Sequence, residues 1–155
     1  MAEKRWAFED FQEGQVFQLP RRHVPADEII EFASEFDAQP MHMDEEAGRA
    51  SLLGGLAASG WHTCAVFMRM MFDGFLRDST SQGSPGLNEL RWRRPVLAGD
   101  TLSGHSTVLS KRRLKSKPDV GLVTFRHVVA NDRGETVLDA ENPIFFRLRE
   151  PEGSQ

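Results

Sequence analysis

Residues 61–76, WHTCAVFMRMMFDGFL, narrow the possible folds more than any other segment. Read as a helix, they are apolar on nearly every side, so protein must cover most of the helix surface. A membrane span needs roughly 20 mostly apolar residues. This run is shorter and is broken by His62, Arg69 and Asp73. The segments that follow supply a cover. Residues 87–96 alternate in polarity, and 101–113, 120–131 and 135–148 are rich in β-branched residues, so the spacing predicts four antiparallel strands. Turns at AGDT, with Gly99, and at NDRG join them closely. One sheet and one such helix bury each other most simply if the sheet curls around the helix. The expectation is an α+β layout in a single domain over 1–155.

Ahead of the helix, QVFQLPRRHV reads as an extended segment, and Pro20 confines it to an edge or a bulge. Ile29, Phe32, Ala33 and Phe36 recur at helical spacing in 25–36, with Asp27 in the first turn. Pro40 disfavours helical geometry at Gln39, so this helix stops just before it. Asp37 then sits at a helix end, and the chain turns before His42. Residues 44–60 read as a glycine-rich loop with a single helical turn, lying with the short helix over the open side of the sheet. In the last strand, Pro143 cannot donate to a ladder, which predicts a bulge or an edge there.

Charge and cysteine content exclude several functions. The formal charge is -4 and no long basic run occurs, which argues against a nucleic-acid partner. The one dense cationic cluster is Lys111, Arg112, Arg113, Lys115 and Lys117. It reads either as a solvated hairpin end or as a rim attracting a phosphate-bearing ligand. Cys64, the only cysteine, rules out an intrachain disulfide and reads as an inert buried thiol. The first residues lack the apolar stretch of a signal peptide, so a cytoplasmic location without membrane attachment is expected. No cysteine and histidine spacing suits a metal.

The pattern FDAQPMH, then LLGGLAASGWHT, then LRWRRPVLAGDTL resembles the MaoC-like acyl dehydratases, which include R-specific enoyl-CoA hydratases and have a hot dog fold. The resemblance runs from about Phe11 to Leu148. Asp37, Pro40 and His42 match that family's first motif. Phe36 and Gln39 stand where the family has glycine and asparagine, changes that bear on substrate shape more than on the acid/base pair.

The resemblance implies a hot dog domain, a curled sheet around a long buried helix with a short helix and loop overhanging it. It also implies reversible hydration of an enoyl thioester. Asp37 and His42 would handle the protons of one water, and the Gly60 amide would serve as an oxyanion donor at the helix start. Gln39, Ser59 and Trp61 are the candidate substrate-binding residues. Read without the resemblance, Asp37 caps a helix end, His42 packs, Gly60 makes a turn, Ser59 caps the helix and Trp61 belongs to the core. His62 reads as a hydrogen-bonded structural residue, and His23, His105 and His127 as ordinary surface or paired residues. Met68, Met70, Met71 and Phe72 read as core. Arg91, Arg93 and Arg94 are candidates for a CoA diphosphate but read first as outer-face ion pairs. No cofactor and no metal are expected. The expected partners are an acyl-CoA or acyl-carrier thioester as substrate and a second copy in a homodimer. The alternatives are a hot dog thioesterase and a non-catalytic acyl-CoA-binding subunit.

Overall fold

The structure, a computed structural model, describes residues 3–150. After a 3-10 turn at Phe8–Asp10 come β1 (Val16–His23), α1 (Ala26–Phe36), α2 (Pro40–Met43), α3 (Glu45–Ala50) and α4 (Gly60–Gly74). A second 3-10 turn at Leu76–Asp78 leads into β2 (Glu89–Trp92), β3 (Thr101–Arg113), β4 (Val120–Ala130) and β5 (Thr136–Arg147). All the strand pairs are antiparallel, in the order β1-β3-β4-β5-β2.

The sheet is α+β in class, and its concave face carries the core. Val123, Phe125 and Val129 alternate inward along β4, and Leu138, Ala140, Ile144 and Phe146 line β5. Met70 and Met71 of α4 and an aromatic cluster of Phe11, Phe75, Phe125 and Phe146 fill the space between. β1 is an edge strand, and its register slips between Leu19 and Arg22, where Pro20 withholds a donor. Gly99 and Gly134 adopt the positive φ that their tight turns require.

The structure corrects or sharpens four expectations. α4 is covered on one side only. His62, Thr63, Val66, Phe67, Met70 and Met71 are buried, whereas Trp61 is 62% and Met68 51% exposed. One sheet covers one helix face, and nothing within the described chain covers the other. Pro40 ends α1 but opens α2, because its fixed φ suits a first helical position. The helical turn expected in 44–60 is α3, six residues long, whose N-cap Asp44 accepts from the Ala47 amide at 2.9 Å. Finally, of the bulge or edge expected at Pro143, the edge is found, with no bulge and Pro143 in register with Thr124. β2 ends opposite Glu141, so the β5 side that lacks the proline N–H faces a loop. Ser84 Oγ there donates to the Pro143 carbonyl at 2.5 Å.

α3 is held close to the segment leading into α4. A Cβ on Gly48 would lie 2.4 Å from the Gly55 carbonyl oxygen. Backbone cannot give way as a flexible side chain would, so Gly48→Ala is expected to cost about 1–3 kcal/mol of stability by overpacking, read by urea denaturation.

Candidate active site

Asp37 is the C-cap of α1, held by its amide to Ala33 O, and His42 is on α2. The Gln39–Pro40 turn between them brings both side chains to one point. His42 is 5% exposed, and its Nδ1 lies 2.7 Å from Ala57 O. A carbonyl only accepts, so Nδ1 carries the hydrogen, and in the neutral ring Nε2 presents a lone pair. That lone pair lies 3.5 Å from Asp37 Oδ2. With the ring neutral these are two acceptors, and a water beside them giving one hydrogen to each would satisfy both.

Asp37 is held below the usual carboxylate range, chiefly by the Gln39 side-chain amide, which donates to Oδ1 at 2.8 Å. The Ser59 hydroxyl is the next influence. Asp37 is therefore ionised at neutral pH. Gln39 thus has a definite role, its longer side chain still reaching the acid. Ser59 is fully buried, and its Oγ makes no hydrogen bond of good geometry. The capping bond expected of it is not made, although Ser59 stands at the N-cap of α4. Its hydroxyl is instead available to the carboxylate.

Gly60 is the first residue of α4, so its amide has no partner within the helix. Trp92 packs against it, with its Nε1 donating to Gly60 O at 3.0 Å. A Cβ on Gly60 would lie 2.7 Å from that indole. Trp61 meets Trp92 edge to face, with centroids 5.3 Å apart. It borders a cavity rather than the core, which overturns the core reading of Trp61.

Asp37, Gln39, His42, Gly60 and Trp61 line a single cavity of about 360 Å³. Met41, Leu53, Trp92 and Val96 give it apolar walls, and Arg93 and Arg94 lie at its border. Motif reading missed Trp92, Met41 and Leu53. Trp92 carried a signal, a large aromatic beside the RPVLAGDTL motif on a strand too short to bury it. Arg91, Arg93 and Arg94 pair with Glu89, Asp139 and Glu135, as the ion-pair reading expects.

Three residues lie apart from this cavity. His62 bonds Glu28 at 3.1 Å and stacks on Phe32. Cys64 is half-buried, and burial raises its thiol pKa, so it is a poor nucleophile. His127 is no surface residue but fully buried in the core. Among the described residues no cluster of three or more His, Cys, Asp or Glu side chains could hold a metal, and no helix is long and apolar enough to cross a membrane.

The comparisons with known proteins meet this geometry. Residues 10–131 match the MaoC like domain family. The chain belongs to the MaoC-like dehydratase family. This MaoC-like chain is 30% identical over 140 residues to the uncharacterized protein YdeM of Bacillus subtilis, covering 90% of this chain and 97% of YdeM. It superposes on the MaoC-like dehydratase of Rhodospirillum rubrum with a TM-score of 0.82 at 41% identity, over 92% of this chain and 97% of that one. The R-hydratase PhaJ1 of Pseudomonas aeruginosa shares the fold at 21% identity, with a TM-score of 0.74 over 95% of this chain and 89% of that one. The MaoC-like fold is thus the expected hot dog.

Gly60→Ala would press a methyl into the Trp92 ring and displace the first amide of α4. If that amide holds an oxyanion, kcat falls about 10²-fold, in line with the loss of one such donor. Steady-state kinetics on an enoyl-CoA checks this, with circular dichroism showing the fold retained.

Proposed function

We propose that this protein is a hydratase/dehydratase of enoyl thioesters. Water adds across the double bond of an acyl-CoA or acyl-carrier substrate, with R stereochemistry. The observation that carries the reading is His42 Nε2 facing the Asp37 carboxylate, in the same cavity as the Gly60 amide. A water between the two acceptors is oriented and made more basic. Its oxygen attacks the β-carbon while the pair takes one of its protons. Electron density moves to the thioester oxygen, and the Gly60 amide, at the positive end of α4, meets the charge that develops there. Return of a proton from the pair to the α-carbon completes the addition. No cofactor enters these steps, and the CoA or carrier thioester is itself the substrate.

The family supports this reading, and so do the names of relatives. The fold neighbours include R-hydratases and a 3R-hydroxyacyl-ACP dehydratase complex of Mycobacterium tuberculosis. Complexes among the neighbours also support an oligomer. In our reading a second copy covers the open face of α4 and β2, where Trp61, Met68 and Trp92 are exposed.

Incubation with crotonyl-CoA and longer enoyl-CoAs tests the activity. Hydration removes the enoyl absorbance and leaves the thioester intact, with the 3R alcohol as product. Release of free thiol would instead indicate a thioesterase. Binding without turnover at any chain length would indicate a non-catalytic acyl-CoA-binding subunit.

A further inference from the structure

A second cavity, of about 780 Å³, lies at the far end of the sheet and shares no lining residue with the Asp37 site. It opens on the face turned away from α4. Leu122 and Phe145 point there, while their neighbours Val123 and Phe146 point into the core. Leu114 and Val120 extend the apolar floor. From the Asp37 site to this cavity is roughly 25 Å, the length of β5 from Leu138 to Phe146.

The walls are pinned. On one side, Gln82 donates its amide to Phe145 O and Phe145 donates to Gly83 O, both at 2.8 Å. Ser84 there accepts from Asn142, which in turn accepts from buried His127. On the other side, the turn from β3 to β4 is held by Leu114 N to Val120 O at 3.1 Å and Leu148 N to Asp119 O at 2.9 Å. Such a cavity exists before any ligand arrives, and its size is that of sites for small organic molecules.

Its rim is cationic in a chain whose net charge is -4. Of the cluster read from the sequence, Lys111 turns away to the Phe8 ring and the carbonyls of Phe8 and Glu9. Arg147 is paired with Asp119 at 3.1 Å. Arg112 and Lys117 line the cavity and have no carboxylate partner among the described residues. An apolar floor under two unpaired cations suits an apolar molecule with one anionic head.

We propose that this cavity is a binding site for a small amphipathic anion, with its apolar body on Leu114, Leu122 and Phe145 and its carboxylate or phosphate head on Arg112 and Lys117. The site is separate from the proposed hydration chemistry. A second copy of the chain fits the place less well, because two facing copies would bring four unpaired cations together.

Isothermal titration with dodecanoate and with dodecyl phosphate, below their micelle concentrations, tests the site, with dodecanol as the uncharged probe. Both anions are expected to bind once per chain, with the tighter of the two identifying the head group. The surface double variant Arg112→Gln/Lys117→Gln is expected to lose at least about tenfold in affinity for the anions and little for dodecanol, the effect of removing charge-assisted hydrogen bonds. Because Arg112 and Lys117 line this cavity and not the Asp37 one, that loss separates this site from the hydration site. Three results would overturn the proposal. One is the absence of anion binding. Another is binding unchanged in the double variant. The third is a concentration-dependent assembly that the double variant abolishes and that takes up no dodecanoate, since a second copy would then fill the cavity.

Discussion

Asp37→Asn is expected to lower kcat for enoyl-CoA hydration by about 10³-fold while leaving KM nearly unchanged, within the range of general acid/base contributions. The substitution is close to isosteric, so the hydrogen bond from Gln39 can be replaced within the turn. What changes is the acceptor facing His42. A carboxylate takes a hydrogen from the bridging water, whereas an amide offers a weaker acceptor or its own N–H. His42 Nε2 would then accept directly from the amide and close the gap of 3.5 Å without water. The pH profile adds a second readout. Because Asp37 is held below the usual carboxylate range, it stays ionised as pH falls through the ordinary carboxylate pKa, and its own contribution to the acidic limb lies below that value. Gln39→Leu removes the chief cause of that shift and is expected to move the Asp37 contribution upward. Stopped-flow or steady-state absorbance of crotonyl-CoA, read across pH, checks both effects.

Acid is expected to weaken the fold through His127. This side chain is wholly buried between Phe125 and Phe67 and is satisfied as a neutral ring. Its Nε2–H donates to Asn142 Oδ1, and its Nδ1 accepts from Ser106 Oγ, both at 2.7 Å. Burial pushes its pKa down to about 4, with Arg126 adding to the effect against the opposing pull of Asn142. In the unfolded chain the ordinary value is about 6.5. Between the two values the unfolded state binds a proton that the folded state refuses, so stability falls as pH falls. The loss begins near pH 6.5, is complete near pH 4, and amounts to about 3 kcal/mol. Urea denaturation at pH 7, 5.5 and 4 measures it. His127→Gln keeps an amide able to bond in the same place and removes the titration. The difference in stability between parent and variant should therefore shrink by about that amount on acidification, while carboxylate effects common to both cancel.

Much of the fold was legible because its signals are local. The β-branched runs, the glycine turns and the amphipathic 25–36 stretch each determine their own backbone, and all of them formed. α2 was not, and α3 only as a single turn, since four- and six-residue helices carry too little periodicity and depend on caps and packing. The exposure of Trp61 and Met68 was also out of reach. An all-round apolar helix implies full cover, but hydrophobicity does not say whether that cover comes from the same chain. His127, read as surface or paired, is paired, and its burial was out of reach for a related reason. Its inward direction follows from strand alternation with Val123, Phe125 and Val129, yet its partners Ser106 and Asn142 are far away in sequence. In the candidate site, the spacing of Asp37, Pro40 and His42 carried the acid and the imidazole. The tautomer came only from the structure, because it depends on Ala57, a residue with no chemistry of its own.

The most direct measurement is a crystal structure of the Asp37→Asn variant soaked with an enoyl-CoA. Hydration requires the β-carbon to lie about 3–3.5 Å from a water held at residues 37 and 42, with the thioester oxygen on the Gly60 amide. A ligand whose carbonyl carbon, rather than its β-carbon, faces that water would contradict it, as would an enoyl group bound away from this cavity.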